Sequence, residues 1–351
     1  MGKKAVSYLL NRTGIVLTIA LAVTTVISDG KSVTLPPSES MFFQYSGLFF
    51  PLIILLNAII LLYWAVRRKW VFIIPLLAIP LCSNFINSTF QFGDKAAVNG
   101  NMSGKDPEEL TICTYNVGRF GGNDSKYNIK DIGRYLKEQG IDIVCFQEYT
   151  EPYGFGRDSI IKYMPSFGYH CISELQDGRD GLAIFSRYPI RYYKYEQYHD
   201  SDYGFMYADI DTGYEIVRIF NNHFQTTGLS KAERKDSYYS AADYMSYNFR
   251  MREDQADTLD KKASGSPYPL IICGDFNSTP LSYACGKFSG KYTDAFRECG
   301  RGFAYTYRYY HKLLRIDYIF YNKDMTGIRY YSEERPWSDH NPVICRMEPL
   351  R

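Results

Sequence analysis

The sequence lacks the cysteine patterns of a disulfide-stapled or zinc-binding protein. It has eight cysteines in 351 residues, with no CxxC pair and no zinc-ligand spacing. Cys82 falls in an apolar stretch, and the other seven are an odd number, which excludes complete pairing among them. Cys113, Cys145 and Cys273 stand inside short apolar runs, where cysteine acts as a small hydrophobic side chain. We therefore expect no disulfide framework.

The chain also lacks a strong excess of either charge. It carries 40 basic and 38 acidic side chains. Residues 1–94 hold seven Lys or Arg residues and three acids, which leaves 33 basic and 35 acidic side chains in 95–351. A domain that grips a DNA duplex usually has a basic face and a high pI. This balance disfavours a dedicated duplex nuclease, although a local basic patch stays compatible with it.

Charged residues are nearly absent from three stretches near the N-terminus, which predict transmembrane helices at about 9–28, 45–66 and 70–90. A bilayer span needs about 20 mostly apolar residues, and no polar face marks these stretches as buried helices of a soluble protein. The first stretch is short and threonine-rich, so a secretory signal is an alternative. No small-residue cleavage site follows it, and we favour a retained span.

Basic residues in short loops predict the orientation of these spans. Lys3 and Lys4 place the N-terminus in the cytoplasm, and Arg67-Arg68-Lys69 place the loop between the second and third spans there too. The third span then exits on the far side. We expect a multi-pass protein of the bacterial inner membrane, with a membrane region at 1–94, a linker at 95–110 and an extracytoplasmic domain at 111–351.

Within that domain, residue pattern predicts several elements. A helix at 129–139 is closed by Gly140 and followed by a strand at 141–146, which is a typical helix stop. Residues 232–262 form a long polar helical region that we expect to be broken. Strands mixed with helices favour a layered α/β fold.

Three polar clusters near the C-terminus each adjoin a short apolar run: Gly274-Asp275-Phe276-Asn277, Arg315-Ile316-Asp317-Tyr318 and Ser338-Asp339-His340. A short apolar run bounded by polar residues is typical of a buried strand. The acids and the histidine therefore fall at strand ends, where a rigid scaffold holds them in a cleft. Each cluster alone is compatible with turn chemistry. Together they predict the parts of a metal-dependent phosphoester hydrolase.

Further clusters upstream follow the same rule. Thr111–Asn116 is a β-rich run that ends in an amide, and Ile141–Glu148 is an apolar run that ends in a carboxylate. A third run, Tyr214–Phe220, leads into Asn221-Asn222-His223. With these motifs in this order, the chain from about Thr111 to Cys345 resembles the endonuclease/exonuclease/phosphatase superfamily, in a deoxyribonuclease- or sphingomyelinase-like, membrane-anchored bacterial form.

The resemblance implies an α/β fold of two packed β-sheets flanked by helices, a four-layer sandwich. It also implies a metal site in which Glu148 and Asp339 are ligands and Asn116 lies beside them. Mg²⁺ prefers oxygen ligands and takes few protein carboxylates, so we expect Mg²⁺, with Mn²⁺ as a possible substitute.

The same resemblance assigns catalytic roles. Asp275 orients or deprotonates the attacking water, and Asn277 holds a phosphate oxygen. His340 and Asp317 form a pair in which the carboxylate fixes the imidazole tautomer. His223 protonates or polarises the leaving oxygen.

The sequence therefore predicts a membrane-anchored, divalent-metal-dependent phosphoester hydrolase that acts outside the cytoplasm. Its substrate class, a nucleic acid or a phospholipid or sphingolipid, stays open. The alternative is a catalytically inactive, membrane-tethered binding or signalling domain. That alternative expects the loss of at least one essential group, and all eight named groups are present.

Overall fold

The computed structural model describes residues 3–92, 108–121, 128–151, 156–173, 180–228 and 240–349. The chain divides into two compact units. The first unit comprises Met1–Thr89 and Thr279–Gly286, and the second comprises Phe90–Ser278 and Lys287–Arg351. Most of the expected linker at 95–110 lies outside the described residues.

The first unit is helical. Its N-terminal helices are α1 (Lys3–Thr34), α2 (Met41–Leu48), α3 (Phe50–Val66), α4 (Ile73–Leu81) and α5 (Ser83–Thr89), with a 3₁₀ turn at Trp70–Phe72 before α4. Among the described residues, one unbroken helix is long and apolar enough to cross a bilayer. It is the part of α1 from Asn11 to Thr34. The other two apolar stretches form bent helix pairs. Helices α2 and α3 meet at 71°, and Trp70–Leu81 meets α5 at 56°.

Polar side chains face the inside of this unit while large apolar ones face out. Asn57 donates to Thr25 Oγ1 at 2.8 Å, and the Trp64 indole donates to Thr18 Oγ1 at 2.9 Å. The Asp29 carboxylate accepts from two backbone amides at the start of α5. Large apolar side chains of α1, α3 and α4 are exposed, including Leu17, Val23, Leu52, Ile59, Leu62 and Leu77. This pattern is the reverse of a water-soluble bundle.

The described part of the second unit contains two six-stranded mixed sheets. One sheet has the strand order β10 (Thr293–Asp294), β12 (Asp317–Tyr321), β9 (Leu270–Asp275), β8 (Ile216–His223), β7 (Gly204–Asp211) and β6 (Ile190–Gln197). The other has the order β13 (Met325–Ser332), β14 (Val343–Pro349), β2 (Leu110–Asn116), β3 (Ile143–Tyr149), β5 (Gly181–Ser186) and β4 (Tyr169–Ile172). A short pair, β1 (Phe90–Gln91) with β11 (Gly302–Phe303), is antiparallel.

Alternation along the strands builds two core layers. In β3, Ile143 and Cys145 lie in the core shared by both sheets, while Val144 and Phe146 lie in the core beneath the helices. This follows from the two-residue period of a strand, in which successive side chains point to opposite faces. The outer face of the other sheet is covered by aromatic contacts that join Phe276, Phe288 and Phe320. The expected fold of two packed sheets with flanking helices is confirmed.

The helices of the second unit lie outside the sheets. They are the left-handed turn α6 (Gly118–Gly121), α7 (Ile129–Glu138), α8 (Arg157–Lys162), α9 (Ala241–Ser264) and α11 (Ala295–Cys299), while α10 (Tyr283–Ser289) begins in the first unit and ends in the second. Gly140, with φ of 63°, follows α7 as predicted. The expected break within 232–262 is wrong for the described part. Helix α9 is continuous because it contains no Gly or Pro, and the Ser240 side chain caps it by accepting from the Asp243 amide.

Candidate active site

Strand ends from both sheets meet at one edge of the second unit. Asn116 ends β2, His223 ends β8 and Asp275 ends β9. His223 and Asp275 are register partners in the parallel pair β8–β9, and Asp317 is the antiparallel partner of Asp275. The pairing of the strands therefore brings these three side chains to one place.

Glu148 reaches this edge through an irregularity in β3. The register of β3 against β5 shifts between Phe146 and Tyr149, and Glu148 has φ of 50°. Asn221 of the other sheet donates to the carbonyl oxygens of Phe146 and Ala183, at 2.9 and 3.1 Å. A bulge of this kind re-aims a side chain. Glu148 thus lines the cleft from within β3, two residues beyond the end of the strand predicted at 141–146.

Asn116 joins two carboxylates. Its Nδ2 donates to Glu148 Oε1 at 3.0 Å and to Asp275 Oδ2 at 3.1 Å. Its Oδ1 accepts from the Gly118 amide at 3.1 Å. All polar atoms of this buried amide are therefore engaged, which fixes the spacing of the two carboxylates.

Asp275 is held by several donors and is 1% exposed. Its Oδ1 accepts from the Asn277 amide at 2.8 Å. The pKa of Asp275 is raised to about 7, chiefly by burial, while the positive His340 opposes the rise and the charge of Asp317 adds to it. A carboxyl with a pKa near neutrality is suited to accept a proton from water.

Asn277 follows Asp275 in a left-handed conformation, with φ of 46°. Its side-chain Nδ2 donates to Phe224 O at 2.9 Å and, more weakly, to Asp275 Oδ2 at 3.3 Å. Both donor positions of Asn277 are engaged within the protein.

His340 and Asp317 form the expected close pair. Nδ1 of His340 lies 2.9 Å from Asp317 Oδ2, and Nε2 lies 3.7 Å from Asp275 Oδ2. Burial lowers the pKa of His340, but the carboxylates of Asp317 and Asp275 outweigh it and the pKa is raised well above its ordinary value. His340 is therefore an imidazolium at neutral pH.

His223 has the opposite state. Its Nε2 lies 3.5 Å from Asp275 Oδ2, and its ring meets the Tyr203 ring edge-on at 4.7 Å. Burial lowers the pKa of His223 to about 3, and the positive His340 adds to this. His223 is therefore a neutral imidazole, which donates or accepts a hydrogen bond but carries no spare proton.

Asp339 lines the cleft on a segment that is held by Arg308 and by the end of β2. Its backbone carbonyl accepts from the Arg308 amide at 2.8 Å. The neighbouring Ser338 hydroxyl donates to Asn116 O at 2.7 Å. The segment that carries Asp339 and His340 is thus fixed to the end of β2.

The cleft has a volume of about 810 Å³. Its described lining residues include three cations, and each contacts an acid: Arg119 with Asp180, and Arg308 and Lys312 with Glu334. Its other lining residues are Gly118, Gly121, Asn128, Glu148, Tyr203, Tyr309, Pro336, Trp337, Ser338 and Asp339.

Sequence analysis did not assign Arg308, Tyr309, Lys312 or Trp337 to the cleft. Their segments have no periodic pattern that would predict a helix or a strand. The one sequence signal for a binding surface there is the basic and aromatic composition of 305–312. Residues 122–127, 152–155, 174–179 and 229–239 of this domain lie outside the described residues.

Two groups of side chains are candidates to hold a cation. Asp275, Asp317 and His340 have donor atoms within 4.8 Å of one another. His340 is already a cation there, paired through Nδ1 with Asp317, so this group is internally neutralised. The second group is Glu148 with Asp339. Burial raises the pKa of Glu148, the Asn116 hydrogen bond and the positive His340 oppose the rise, and the negative charges of Asp180 and Asp339 add to it. An oxygen-rich set with surplus negative charge fits a hard divalent cation.

Comparison with known proteins identifies the family of the second unit. The model of the endonuclease/exonuclease/phosphatase family matches residues 113–340. A model described as a domain of unknown function (DUF8431) matches residues 9–89.

Solved structures share the fold at low sequence identity. An endonuclease/exonuclease/phosphatase from Bacteroides vulgatus is 19% identical, with 69% of this chain and 99% of that chain covered, at a TM-score of 0.54. A mannosyl-6-phosphatase of Bacteroides thetaiotaomicron is also 19% identical, with 68% and 99% covered, at 0.52. The catalytic domain of human Nocturnin, solved with a sulfate anion, is 16% identical, with 70% and 96% covered, at 0.51.

The match over residues 113–340 spans more than half of the sequence. It includes all eight predicted site residues, and His340 is its last position. The chain therefore belongs to the endonuclease/exonuclease/phosphatase family.

Proposed function

We propose that this protein is a membrane-anchored, divalent-metal-dependent phosphoester hydrolase that acts outside the cytoplasm. Enzymes of its family hydrolyse phosphoester bonds with divalent metals. The observation that carries the proposal is the Asn116 amide, which donates to Glu148 and to Asp275 at 3.0 and 3.1 Å. Asn116 thereby fixes the distance between Glu148, the proposed metal ligand, and Asp275, the proposed base.

Glu148, Asp339 and Asn116 are the residues that would hold the metal, which we propose to be Mg²⁺, with Mn²⁺ as a substitute. Both acids line the cleft, and Asn116 hydrogen-bonds one of them. When bound, the cation would neutralise negative charge on the phosphoryl oxygens. Asp180 is the additional acid near Glu148 that sequence analysis did not name.

Asp275 is the proposed base. Its pKa of about 7 lets it accept a proton from water at neutral pH, and the Asn277 amide and side chain fix its two oxygens. Since both donors of Asn277 are engaged, its expected contact with a phosphate oxygen would replace the longer bond to Asp275. Asn277 therefore combines a positioning role with that contact.

The two histidines take different roles because their charges differ. His340, kept as an imidazolium by Asp317, would stabilise the charge that develops on the phosphoryl group. His223 is neutral, so we propose that it polarises the leaving oxygen by donating a hydrogen bond, and that it does not act as a charged acid. Of the two actions expected from its sequence position, the geometry supports this one.

The membrane anchor is supported by the first unit. Helix α1 is long and apolar enough to span a bilayer, and the two bent pairs give up to three spans. Outward-facing apolar side chains and inward-facing polar ones suit a lipid surround. The positions of Lys3, Lys4 and Arg67–Lys69 support the extracytoplasmic orientation.

Orientation is tested by fusing a reporter after Arg351 and expressing the full chain in bacteria. We expect alkaline phosphatase, which needs an extracytoplasmic location, to be active there, and green fluorescent protein exported by the same route to be dark. The reverse result would place the catalytic unit in the cytoplasm.

The described cations of the cleft disfavour a long duplex as the substrate. Each of the three contacts an acid, whereas duplex binding depends on basic side chains that are available to the phosphates. Lipid and nucleic-acid phosphoesters both stay within the proposal. The full-length protein in detergent should be offered plasmid DNA and sphingomyelin-containing vesicles in parallel with Mg²⁺, with Asp275→Asn as control. Turnover of neither, together with turnover of no small phosphoester, would refute the proposed function.

A further inference from the structure

The segment Thr279–Gly286 belongs to the helical unit, although both its neighbours in sequence belong to the catalytic unit. Leu281 is 2% exposed and lies in a cluster with Phe50 and Cys82. The Tyr283 amide donates to Gln44 Oε1 at 3.2 Å. The segment is therefore built into the helical unit by both apolar and polar contacts.

Two glycines show how tightly this segment is seated. A Cβ on Gly47 of α2 would overlap the backbone carbonyl of Leu281, and a Cβ on Gly286 would overlap the backbone carbonyl of Val33 in α1. Both conflicts are with backbone atoms, which cannot rotate away as a flexible side chain can. Neither glycine has a positive φ, so close approach, and not backbone conformation, explains each one.

The same segment begins one peptide bond after the catalytic loop. Ser278 follows Asn277, and its carbonyl accepts from the Tyr318 hydroxyl at 2.9 Å. Thr279 precedes Pro280, which fixes its own φ and restricts the residue before it. The connection from Asn277 to Leu281 is therefore short and stiff.

We propose that the helical unit positions the catalytic loop Asp275–Ser278 by seating Thr279–Gly286, so that Gly47, Leu281 and Gly286 are positioning residues for hydrolysis. The unit is then a part of the enzyme as well as an anchor. The inference rests on the proposed function, because it takes Asp275 and Asn277 as the groups to be placed.

The test compares single substitutions in the full-length protein in detergent. Gly47→Ala and Gly286→Ala introduce the two backbone conflicts, and Gly30→Ala is the matched control in α1, since nothing lies within 4 Å of its added Cβ. We expect kcat to fall at least about tenfold in the first two, with KM changed less than about threefold. Misplacement by about 1 Å costs up to about a hundredfold in rate. Gly30→Ala should stay within twofold of wild type.

A second pair of variants separates positioning from loss of fold. Leu281→Ala leaves a cavity where the Leu281 side chain packs with Phe50 and Cys82, whereas Leu281→Met keeps the side-chain volume. The expected result is a low kcat for Leu281→Ala and recovery of most of the rate by Leu281→Met. Equal and near-normal kcat in both variants would overturn the inference.

Backbone amide exchange provides a readout that does not depend on activity. In Gly47→Ala, exchange in peptides covering 275–278 should accelerate together with 279–286, and in Gly30→Ala both should match wild type. Acceleration confined to 279–286 would show that the catalytic loop does not depend on how 279–286 packs in the helical unit, and it would overturn the inference. If the wild type hydrolyses no phosphoester, the proposed function fails, while the exchange result still decides whether the seat positions the loop.

Discussion

His223 and Asp275 are register partners across the parallel strands β8 and β9, and Nε2 of the histidine lies 3.5 Å from Oδ2 of the carboxylate. Burial shifts both pKa values toward the uncharged form, to about 3 for His223 and about 7 for Asp275. Near pH 7 His223 is therefore uncharged, and Asp275 is about half ionised. The positive charge comes from His340, one contact away.

Asp275→Asn should lower kcat by about 10²–10⁴-fold, the usual contribution of a general base. The substitution keeps the shape and the acceptor oxygen, so the Asn277 amide keeps a partner. Initial rates with saturating Mg²⁺ measure the effect. Asp254→Asn, on the exposed face of α9, is the control. Retention of more than a tenth of wild-type kcat would remove Asp275 from the role of base.

The same variant should change how stability depends on pH in the metal-free protein. The folded pKa of Asp275, about 7, lies above its ordinary value of 3.8. Its carboxyl therefore favours the folded state when protonated, and that contribution is lost as pH rises through about 7. Between pH 5 and pH 8 the wild type should lose about 2–3 kcal/mol relative to Asp275→Asn.

Denaturant unfolding in EDTA at the two pH values measures this difference. Asp254→Asn again serves as the comparison, because it makes the same substitution at an exposed position. A gap between wild type and Asp275→Asn that is equal at both pH values would contradict the proposed burial of a titrating carboxyl.

Glu148→Gln should weaken divalent-metal binding at least about tenfold, because it removes one of the charged oxygens from a set with surplus negative charge. Gln keeps an oxygen that accepts from Asn116, so the fold of the site should persist. Binding of Mn²⁺ followed by electron paramagnetic resonance tests this directly. Glu348→Gln removes the same charge at an exposed site on β14 and should leave the affinity unchanged.

Asn221→Leu should destabilise the second unit by about 1–3 kcal/mol. The substitution removes donors from the buried Phe146 and Ala183 carbonyls and an acceptor from Gln147 Nε2, which lies 2.6 Å from Asn221 Oδ1. We also expect kcat to fall by more than the lost fraction of folded protein explains. Gln147 loses its bond to Asn221, and Gln147 directly precedes Glu148. Urea unfolding and kcat measure the two effects. Unchanged activity at full occupancy of the folded state would show that Asn221 does not support the bulge.

The local part of this structure could be predicted from sequence. The acids at strand ends follow from apolar runs with polar termini, and Gly140 marked the end of α7 because it adopts a positive φ. The family resemblance supplied the two-sheet arrangement, which is confirmed, and named Glu148 and Asp339, which line the cleft.

The nonlocal part could not be read in the same way. Leu281 is apolar, but nothing nearby in sequence shows that its contacts are with Phe50 and Cys82. Arg308 is placed by bonds to Ser338 and Asp339, about 30 residues away, and its own segment has no period. The bends at Phe49 and Cys82 were also missed, since hydropathy reports the length of an apolar stretch but not its direction.

The bonds that assemble the candidate site connect distant parts of the chain. Asn116 and Asp275 are 159 residues apart, and Ser338 bonds Asn116 across 222 residues. Contacts of such long separation form late, because closing large loops precedes any gain from them. A nascent chain that ends before Ser338 cannot fix the end of β2 to the segment that carries Asp339 and His340. The candidate site is therefore incomplete until the residues at both ends of that 222-residue interval are in place.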